Sequence, residues 1–469
     1  MRAAATAFQA CYEGRMRRSL FVLAVVVLLA GRSWADAPAS TAATGSLHRF
    51  TLPEATAAAM KNPRVAMARL DAQVAAARED EADALRMPRL SATAFVGPSP
   101  KASCVNLDCT VTTPQNQSLA FSGAFGGASL TVTQPLYTFG KIAAARQAAH
   151  AGYRASVALA DEQAGDTAVE VARAYWGVKL ARTLTWMLDD GLDEITTALK
   201  SDDGKDMSVQ DQQRVAVLIA EAKSQRADAV MAEAQALAGL RALTQRSDAD
   251  VDEAELQVLA AASGYAAEPT SADRPQVRAA QAGVAAATAM ARLEARQAWP
   301  DLAVVAQVGA SRAQGIEDPP SIFANDPFNA NSGGLALVLR WNVDPWTVAA
   351  RLARAKLQTA RATALASAAA AGASFELTSA VAQVDAAKAK VAATAEGETA
   401  GRAWVASILQ AQAIGTAEPR DMVDAYLAWF QMRARWAASV TDLNVALVRL
   451  GRARGEFHAD SSVQATEQR

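Results

Sequence analysis

In Leu130–Arg146, LTVTQPLYTFGKIAAAR, the periodicity of the sequence changes from that of a strand to that of a helix. Up to Gln134, apolar and hydroxyl-bearing residues alternate, which is typical of a β-strand with two different surroundings. Pro135 has no backbone N–H, so regular strand pairing is expected to end there. From Gly140 onward, apolar residues recur at the spacing of a helix. The stretch therefore predicts a strand with a lipid-like face that leads directly into a long helix.

Composition restricts the class of protein. The chain has 469 residues, of which 51% are hydrophobic and 20% charged, and its formal net charge is −2. This balance excludes a nucleic-acid binder that relies on a strongly basic surface. The apolar content comes largely from alanine, which favours helix and lets helices approach closely.

Residues 1–35 have the features of an export signal peptide. A basic segment, Met16-Arg17-Arg18, precedes an apolar run and a small-residue cleavage site before Asp36, and Met16 is an alternative start to Met1. After residue 35 no apolar run approaches 18 residues, so no transmembrane helix is expected. Any membrane-spanning part is therefore expected to consist of strands.

Two cysteines lie in a predicted loop, Cys104 and Cys109 in SCVNLDCT. An exported chain meets oxidising conditions, so the pair predicts a loop disulfide. A metal site is the alternative, but it requires further ligands, and no histidine lies close by.

The chain contains one unit twice. Asn62-Pro63-Arg64-Val65 matches Arg274-Pro275-Gln276-Val277, and Pro88-Arg89-Leu90 matches Pro300-Asp301-Leu302, both at an offset of 212 residues. Each unit predicts a helix, two strands joined by a loop, a long helix, a tip and a second long helix. The predicted organisation is a signal peptide (1–35), an N-terminal equatorial segment (36–62), a first repeat (63–246), an equatorial connector with one short helix (247–273), a second repeat (274–455) and a disordered tail (456–469).

The element boundaries follow from the same patterns. Strands are predicted over residues 90–96, 118–134, 302–308 and 334–343, and long helices over 141–199, 208–245 and 420–450. A further long helix after Asp344-Pro345-Trp346 is expected to be weakened near Gly397 and Gly401. In the last helix large apolar residues recur every seven positions, which predicts a coiled-coil seam. These residues are Met422, Trp429, Trp436, Leu443 and Leu450, with Tyr426 beside them.

The predicted strands require more than one copy of the chain. Strand pairs with one apolar face cannot stand alone in a bilayer, because their edges would be unpaired. Four strands are too few to close a barrel, so closure demands several copies around an axis. The helices that continue the strands would then form a tube of coiled coils in water.

Taken together, these features resemble the TolC family of outer-membrane efflux and secretion channels over about residues 47–455. The resemblance rests on Thr51-Leu52-Pro53-Glu54-Ala55, Asn62-Pro63, Pro88-Arg89-Leu90-Ser91, Gln134–Lys141 (QPLYTFGK), Ile414-Gly415-Thr416 and Asp421–Ala425 (DMVDA). It implies a trimer in which a twelve-stranded outer-membrane β-barrel continues into a periplasmic α-helical barrel with an equatorial belt. It also implies a passive exit duct, without a cofactor, that works with a periplasmic adaptor and an inner-membrane pump in tripartite efflux or type I secretion.

The resemblance assigns roles to two groups of residues. The hairpin tips, at Gly204 and at Gly415 with Thr416, are expected to contact the adaptor, and the alternative is that these glycines only terminate helices. Asp421 and Asp424 lie on the family's aspartate pair, and three-residue spacing places both on one helix face. In a trimer they would form a ring of six carboxylates, the narrowest ring of the channel, which favours cations. The alternative is a solvated helix start.

The sequence departs from the family pattern at two places. The second strand-to-helix junction, Trp341–Trp346, lacks the usual glycine pair. Gln412 and Ala417 stand where some members of the family have a tyrosine and an arginine that latch the closed state. The resemblance therefore does not extend to that latch.

Other classes of protein fit the sequence less well. The three histidines are dispersed, and neither a GxSxG nor a GxxxxGK[ST] sequence is present, so an enzyme is not expected. The main alternative is a periplasmic adaptor, but adaptors carry one hairpin flanked by β domains, whereas here two hairpins each follow a strand pair. A porin would need many more strands and no long helix. The sequence does not identify the cargo or the pump.

Overall fold

The computed structural model describes residues 47–100, 103–105, 108–110, 121–200, 208–259, 274–314, 328–414, 416 and 419–459, and the elements below belong to the unit His48–Arg469. The predicted signal peptide and residues 460–469 of the predicted tail lie outside the described residues, so both stay predictions. The prediction of disorder is wrong for residues 456–459, because Ala459 is buried and its N–H donates to Asp161 Oδ1 at 3.0 Å.

The order of elements in the first half of the chain recurs in the second. The first half contains β1 (His48–Phe50), α1 (Leu52–Ala59), α2 (Pro63–Ala84), β2 (Arg89–Pro100), β3 (Ser103–Val105), β4 (Asp108–Thr110), β5 (Phe121–Tyr137), α3 (Lys141–Lys200), α4 (Val209–Thr244) and β6 (Ala249–Val251). The second half contains α5 (Pro275–Arg296), β7 (Asp301–Ala313), β8 (Asn331–Arg340), α6 (Pro345–Ala413) and α7 (Pro419–Arg454). Helices α2 and α5 both have 22 residues, and α4 and α7 both have 36.

Proline at the first helical position begins both α2 and α5, as the sequence predicts. Asn62 caps α2, because its Oδ1 accepts a hydrogen bond from the Arg64 backbone N–H at 3.0 Å. Its Nδ2 donates to the carbonyls of Ala242 and Leu243 at 3.2 and 3.0 Å. One buried asparagine therefore starts α2 and fastens it to the end of α4.

Arg274 occupies the equivalent position before α5 and acts differently. It provides no side-chain cap, and its guanidinium instead reaches α6, where Nη2 lies 2.6 Å from Glu376 Oε2. The Arg274 side chain is 3% exposed and Glu376 is 34% exposed, so water reaches this ion pair only from the carboxylate side. The two repeats thus use the same backbone position to join different helix pairs.

Four strands form one antiparallel sheet in the order β2-β5-β7-β8. One face carries apolar residues along all four strands: Leu90, Ala92, Ala94, Val96, Ala128, Leu130, Val132, Leu302, Val304, Ala306, Val308, Leu335, Leu337 and Leu339. The other face carries the polar residues Ser91, Thr93, Ser129, Thr131, Thr133, Gln307 and Ser332. Directly paired residues project to the same side, so the register aligns the apolar positions of all four strands. Among the described strands, none pairs with the outer edge of β2 or of β8.

Strand β5 is longer than expected. The prediction that pairing ends at Pro135 is wrong, because β5 continues to Tyr137 and Pro135 pairs with Ala303, with an irregularity between Pro135 and Tyr137. The reason is that β2 begins at Arg89, opposite Thr133. Beyond that point β5 pairs with β7 alone, so a residue without an N–H is tolerated. Strand β8 is also displaced from its predicted range, since it covers Asn331–Arg340.

The described part of the predicted connector, residues 247–259, contains an unpredicted strand, β6, and the short helix predicted for this segment stays a prediction, since residues 260–273 lie outside the described residues. No helix lies within residues 252–259, and β6 pairs in parallel with β1, with Phe50 opposite Val251. Asn444 of α7 is fully buried and holds this segment, donating to the Gln257 carbonyl and accepting from the Leu259 N–H, both at 2.8 Å. Three-residue strands carry too little periodicity to be recognised in the sequence.

Helix α3 lies at the centre of the helical packing. It packs against α1, α2, α4, α5 and α7. The largest buried cluster joins its residues Val171, Tyr175, Trp176 and Val178 to Leu240, Val440, Phe50 and Val251. The 60-residue helix therefore connects both halves of the chain and extends for about 90 Å.

Helix α6 is apolar enough, by length and composition alone, to cross a membrane. This differs from the expectation that no such helix follows residue 35. The cause is alanine, which counts as apolar although its side chain is small, in the uncharged run Ala362–Phe375. Only 11% of the most apolar window is buried.

Candidate functional site

The strand-to-helix junction after β5 depends on a left-handed backbone. Phe139 and Gly140 have φ angles of 51° and 85°. Glycine adopts such angles at little cost, whereas phenylalanine rarely does. Arg296 Nη1 donates to the Phe139 carbonyl at 2.9 Å, and Lys141 Nζ pairs with Asp301 Oδ2 at 2.9 Å. The glycine-lysine pair therefore turns the chain and fixes the start of α3 to β7.

At the second strand-to-helix junction, the chain passes from β8 into α6 without a glycine. Asp344 precedes Pro345, the first residue of α6, and its Oδ1 accepts from the Thr347 N–H at 3.2 Å. Trp341 Nε1 donates to the Ala298 carbonyl at 3.0 Å, so the segment after β8 is fastened to the end of α5. An aspartate cap followed by proline thus replaces the glycine pair.

Asp421 and Asp424 lie in the first two turns of α7. Asp421 is half-buried and Asp424 is exposed, while Ala425 is fully buried against the rest of the chain. Their three-residue spacing on a regular helix places the two carboxylates on neighbouring parts of its surface. The ring that these aspartates are predicted to form needs other copies of the chain, so the gate stays a prediction.

Two polar side chains of α7 fasten its first turns to other helices. Tyr426 Oη donates to Glu194 Oε1 of α3 at 2.7 Å, and Trp429 Nε1 donates to Glu398 Oε1 of α6 at 3.1 Å. Burial and then the hydrogen bond to Glu194 raise the pKa of Tyr426 to about 12, so the phenol remains a donor at neutral pH. Sequence reasoning placed Tyr426 beside the packing seam and missed this polar contact.

Arg433 reinforces the same contact between α7 and α3. Its guanidinium lies 5.0 Å from the ring centroid of Trp186 on α3 and 5.5 Å from that of Trp429. A guanidinium at such distances from two indole rings is favoured by cation–π attraction. The aspartate-bearing turns are therefore held against the first hairpin as well as against α6.

Glycines let α7 approach both neighbouring helices. A Cβ at Gly401 would lie 3.0 Å from Trp429 Cα, one at Gly397 2.7 Å from Met432 Cε, and one at Gly191 2.6 Å from Phe430 Cζ. Helix α6 is continuous through Gly397 and Gly401, so the weakening expected there does not interrupt it. They are sites of close helix packing.

We expect Gly401→Ala to destabilise the protein and Gly283→Ala to stabilise it. Both glycines lie within helices, Gly401 in α6 and Gly283 in α5, and alanine improves helix propensity by up to about 1 kcal/mol. At Gly283 a Cβ meets nothing within 4 Å, whereas at Gly401 it meets the α7 backbone. Such overpacking costs about 1–3 kcal/mol. Urea unfolding of the detergent-solubilised protein measures both changes, and equal stabilisation by the two variants would contradict the close packing.

The hairpin tips are described only in part. Thr416 closes the end of α6, with its N–H and its Oγ1 both donating to the Ala411 carbonyl, at 2.9 and 3.0 Å. Gly204 and Gly415 lie outside the described residues, and α3 and α4 end and begin on either side of the first tip. Contact of these residues with an adaptor remains a prediction.

The backbone brings the two loop cysteines together. Strands β3 and β4 pair antiparallel, with Cys104 opposite Cys109. We expect mass mapping of unreduced peptides from the mature protein to show the two linked, with a mass lower by the two thiol hydrogens. Reduction before digestion is the control. Two alkylated thiols in the unreduced sample would contradict the predicted disulfide.

Comparison with known proteins agrees with this geometry. Residues 55–245 match the family described as outer membrane efflux protein. No curated protein matches the sequence. The fold is similar to that of the Campylobacter jejuni CmeC outer membrane channel, with a TM-score of 0.73, 13% sequence identity and 89% of each chain covered. It is similar to the Neisseria gonorrhoeae MtrE outer membrane channel in its open state, with a TM-score of 0.72, 20% identity, and 86% of this chain and 88% of that chain covered. It is also similar to the Vibrio cholerae outer membrane protein VceC, with a TM-score of 0.71, 16% identity, and 87% of this chain and 97% of that chain covered.

A two-faced sheet that continues into long helical hairpins is the fold of an outer-membrane channel with a large periplasmic helical part. The first half of the chain thus matches the outer membrane efflux protein family, and the whole described fold is that of outer-membrane channels. The resemblance to the TolC family is thereby confirmed. The periplasmic adaptor alternative is not favoured.

Proposed function

We propose that three copies of the chain form a passive exit duct, with a twelve-stranded β-barrel in the outer membrane. The observation that carries this proposal is the sheet order β2-β5-β7-β8, which leaves the edges of β2 and β8 without a partner among the described strands. Exposed edges are not tolerated in lipid, so β8 of one copy would pair with β2 of the next. Four strands from each of three copies make twelve.

The two faces of the sheet set the orientation of this barrel. Leucines of β8 and the apolar residues paired with them would face lipid, and the hydroxyl-bearing face would line the water-filled interior. Interior and exterior residues alternate in this way along every strand of a membrane barrel. Transport through such an opening needs no catalytic step, so the duct is passive.

The helices would extend this duct into the periplasm. The run Ala362–Phe375 of α6 is largely exposed in a single chain, and small residues allow a neighbouring helix to approach closely. We assign this face to contact with the next copy. The resulting tube would end near the tips and near Asp421 and Asp424, which would narrow its periplasmic mouth and favour cations.

The partners follow from the ends of the tube. A duct in the outer membrane has no energy source of its own, so an inner-membrane transporter must drive export and an adaptor must bridge the two. The tips at Gly204, Gly415 and Thr416 are the proposed adaptor contacts. Tripartite efflux and type I secretion both use this arrangement, and the identity of the exported molecule would distinguish the two systems.

Reconstitution of the purified protein into planar lipid bilayers tests the proposed duct. Discrete, stable conductance steps are expected, since a barrel with a polar interior conducts ions. Circular dichroism of the same sample should show mostly helix, as the long helices require. A correctly folded, mainly helical protein that never conducts would overturn the proposal.

The adaptor contact is tested in cells by Gly415→Trp. A bulky side chain at the tip should abolish export, while the amount of assembled protein in the outer membrane stays normal. Thr347→Trp, at the opposite end of α6, provides a matched control for the added indole. Normal export by the Gly415→Trp protein would show that this tip is not a contact site.

A further inference from the structure

Three phenylalanines lie together on the sheet, towards the end remote from the helices. Phe95 of β2 and Phe125 of β5 contact edge to face with ring centroids 5.1 Å apart, and Phe125 contacts Phe328, which precedes β8, in the same way at 5.7 Å. We call these three residues the aromatic cluster. Because α2 joins β2 at Arg89 and β5 leads into α3 at its other end, the cluster lies away from both junctions.

Strand alternation places the cluster on the polar face. Phe95 follows Ser91 and Thr93 at two-residue spacing, and Phe125 precedes Ser129 and Thr131 in the same way. In the proposed barrel this face lines the interior. The aromatic cluster therefore interrupts a lining that is otherwise rich in hydroxyl groups.

A glycine opposite Phe95 lets that ring lie against the sheet, whereas the glycine opposite Phe125 is not covered by a ring. Phe95 pairs with Gly127, where a Cβ would lie only 2.9 Å from the Phe95 ring. Phe125 pairs with Gly97, where a Cβ would meet nothing within 4 Å. The Phe95 ring thus lies over glycine backbone, and it remains 51% exposed. Its outer face is available to a molecule in the interior.

We propose that the aromatic cluster determines specificity within the duct, by contacting the aromatic part of solutes that leave through the barrel. Aromatic rings prefer the faces and edges of other aromatic rings, and such pairs form with centroids about 4.5–7 Å apart. Three copies of the chain would present three clusters around the exit path. The inference rests on the proposed function, because it requires the polar face to line a conducting interior.

The charged residue nearest to the cluster on β7 does not compete for this role. Arg312 belongs to the apolar face by strand alternation, and its Nη2 donates to Asn331 Oδ1 at 3.1 Å. The cluster consequently offers apolar, aromatic contact. We assign it to the aromatic portion of a solute, whatever charge the rest of that solute carries.

Block of single channels by two matched cations tests this inference. Benzyltrimethylammonium and tetramethylammonium have the same charge, but only the first has a ring. In wild-type channels the benzyl compound should block at a lower concentration. Phe95→Ala should weaken that block about fivefold, in line with the strength of one aromatic pair, and leave block by tetramethylammonium unchanged.

Two further variants keep the test decisive. Phe95→Leu retains an apolar side chain over Gly127, so the barrel should fold even if Phe95→Ala does not. Because leucine has no ring, this variant should still lose most of the same selectivity. Val96→Ala truncates the neighbouring residue on the apolar face and should not change block. Equal block of wild-type, Phe95→Leu and Val96→Ala channels would overturn the inference and leave the rings as cover for glycine backbone only. Absence of any wild-type conductance would instead overturn the proposed function.

Discussion

Leu335→Arg is expected to abolish accumulation of the folded protein in the outer membrane, whereas Ala336→Arg is expected to be tolerated. Leu335 lies in the middle of β8, is 76% exposed and pairs with Ala306 on the apolar face. An arginine on the lipid face near the bilayer midplane costs about 2–4 kcal/mol, so three copies would lose about 6–12 kcal/mol. That loss is comparable with the whole stability of an ordinary domain.

Ala336 provides the matched control. It is the next residue of the same strand, pairs with Val305 and projects to the polar face. An arginine there would point into water in the proposed barrel. The amounts of each variant in outer-membrane fractions, with and without urea washing, measure the effect. Equal accumulation of the two variants would show that the two faces do not have different surroundings.

Joint replacement of Asp421 and Asp424 by alanine should remove most of the channel's preference for cations. Six carboxylates at a narrow ring attract cations and bind multivalent ones strongly, because their fields add. Block by a trivalent cation, added on the periplasmic side in planar bilayers, should weaken by about tenfold or more, a change of about 1.4 kcal/mol or more. Unchanged selectivity and block would place the ring elsewhere.

Two control variants distinguish a gating role of Asp421 and Asp424 from a role in starting helix α7. Asp442→Ala removes an exposed aspartate from the same helix, well away from the tip, and should leave selectivity as it is. Replacement of Asp421 and Asp424 by asparagine retains hydrogen-bonding capacity at the first turns but removes the charge. If only the charge matters, the asparagine and alanine variants should conduct alike. Loss of channels with alanine and normal block with asparagine would identify a helix start instead.

The sequence predicted those parts of the fold that depend on local patterns. Pro63 and Pro275 begin helices of equal length, and the alternation from Leu130 to Gln134 does give two different faces. The prediction at Pro135 failed because the tolerance of a strand for proline depends on whether a neighbour pairs there. Strand order is a long-range property that local alternation does not contain.

The site was less accessible from the sequence. The hydrogen bond from Tyr426 to Glu194 joins residues 232 positions apart, and the close approach at Gly401 depends on the position of Trp429. Glycine within a helix suggests weakness on propensity alone, whereas here it permits contact between α6 and α7. The aromatic cluster likewise assembles from β2, β5 and the segment before β8. A Phe-Gly pairing across two strands becomes visible only when their register is known.

The mass of the intact assembly gives the number of chains in the channel. Native mass spectrometry of the detergent-extracted protein should give three times the mass of the mature chain, because in the proposed assembly three copies of the four-stranded sheet would close a twelve-stranded barrel. A species containing one chain that still forms conducting channels would contradict this account, since a single chain would then have to close its own sheet edges.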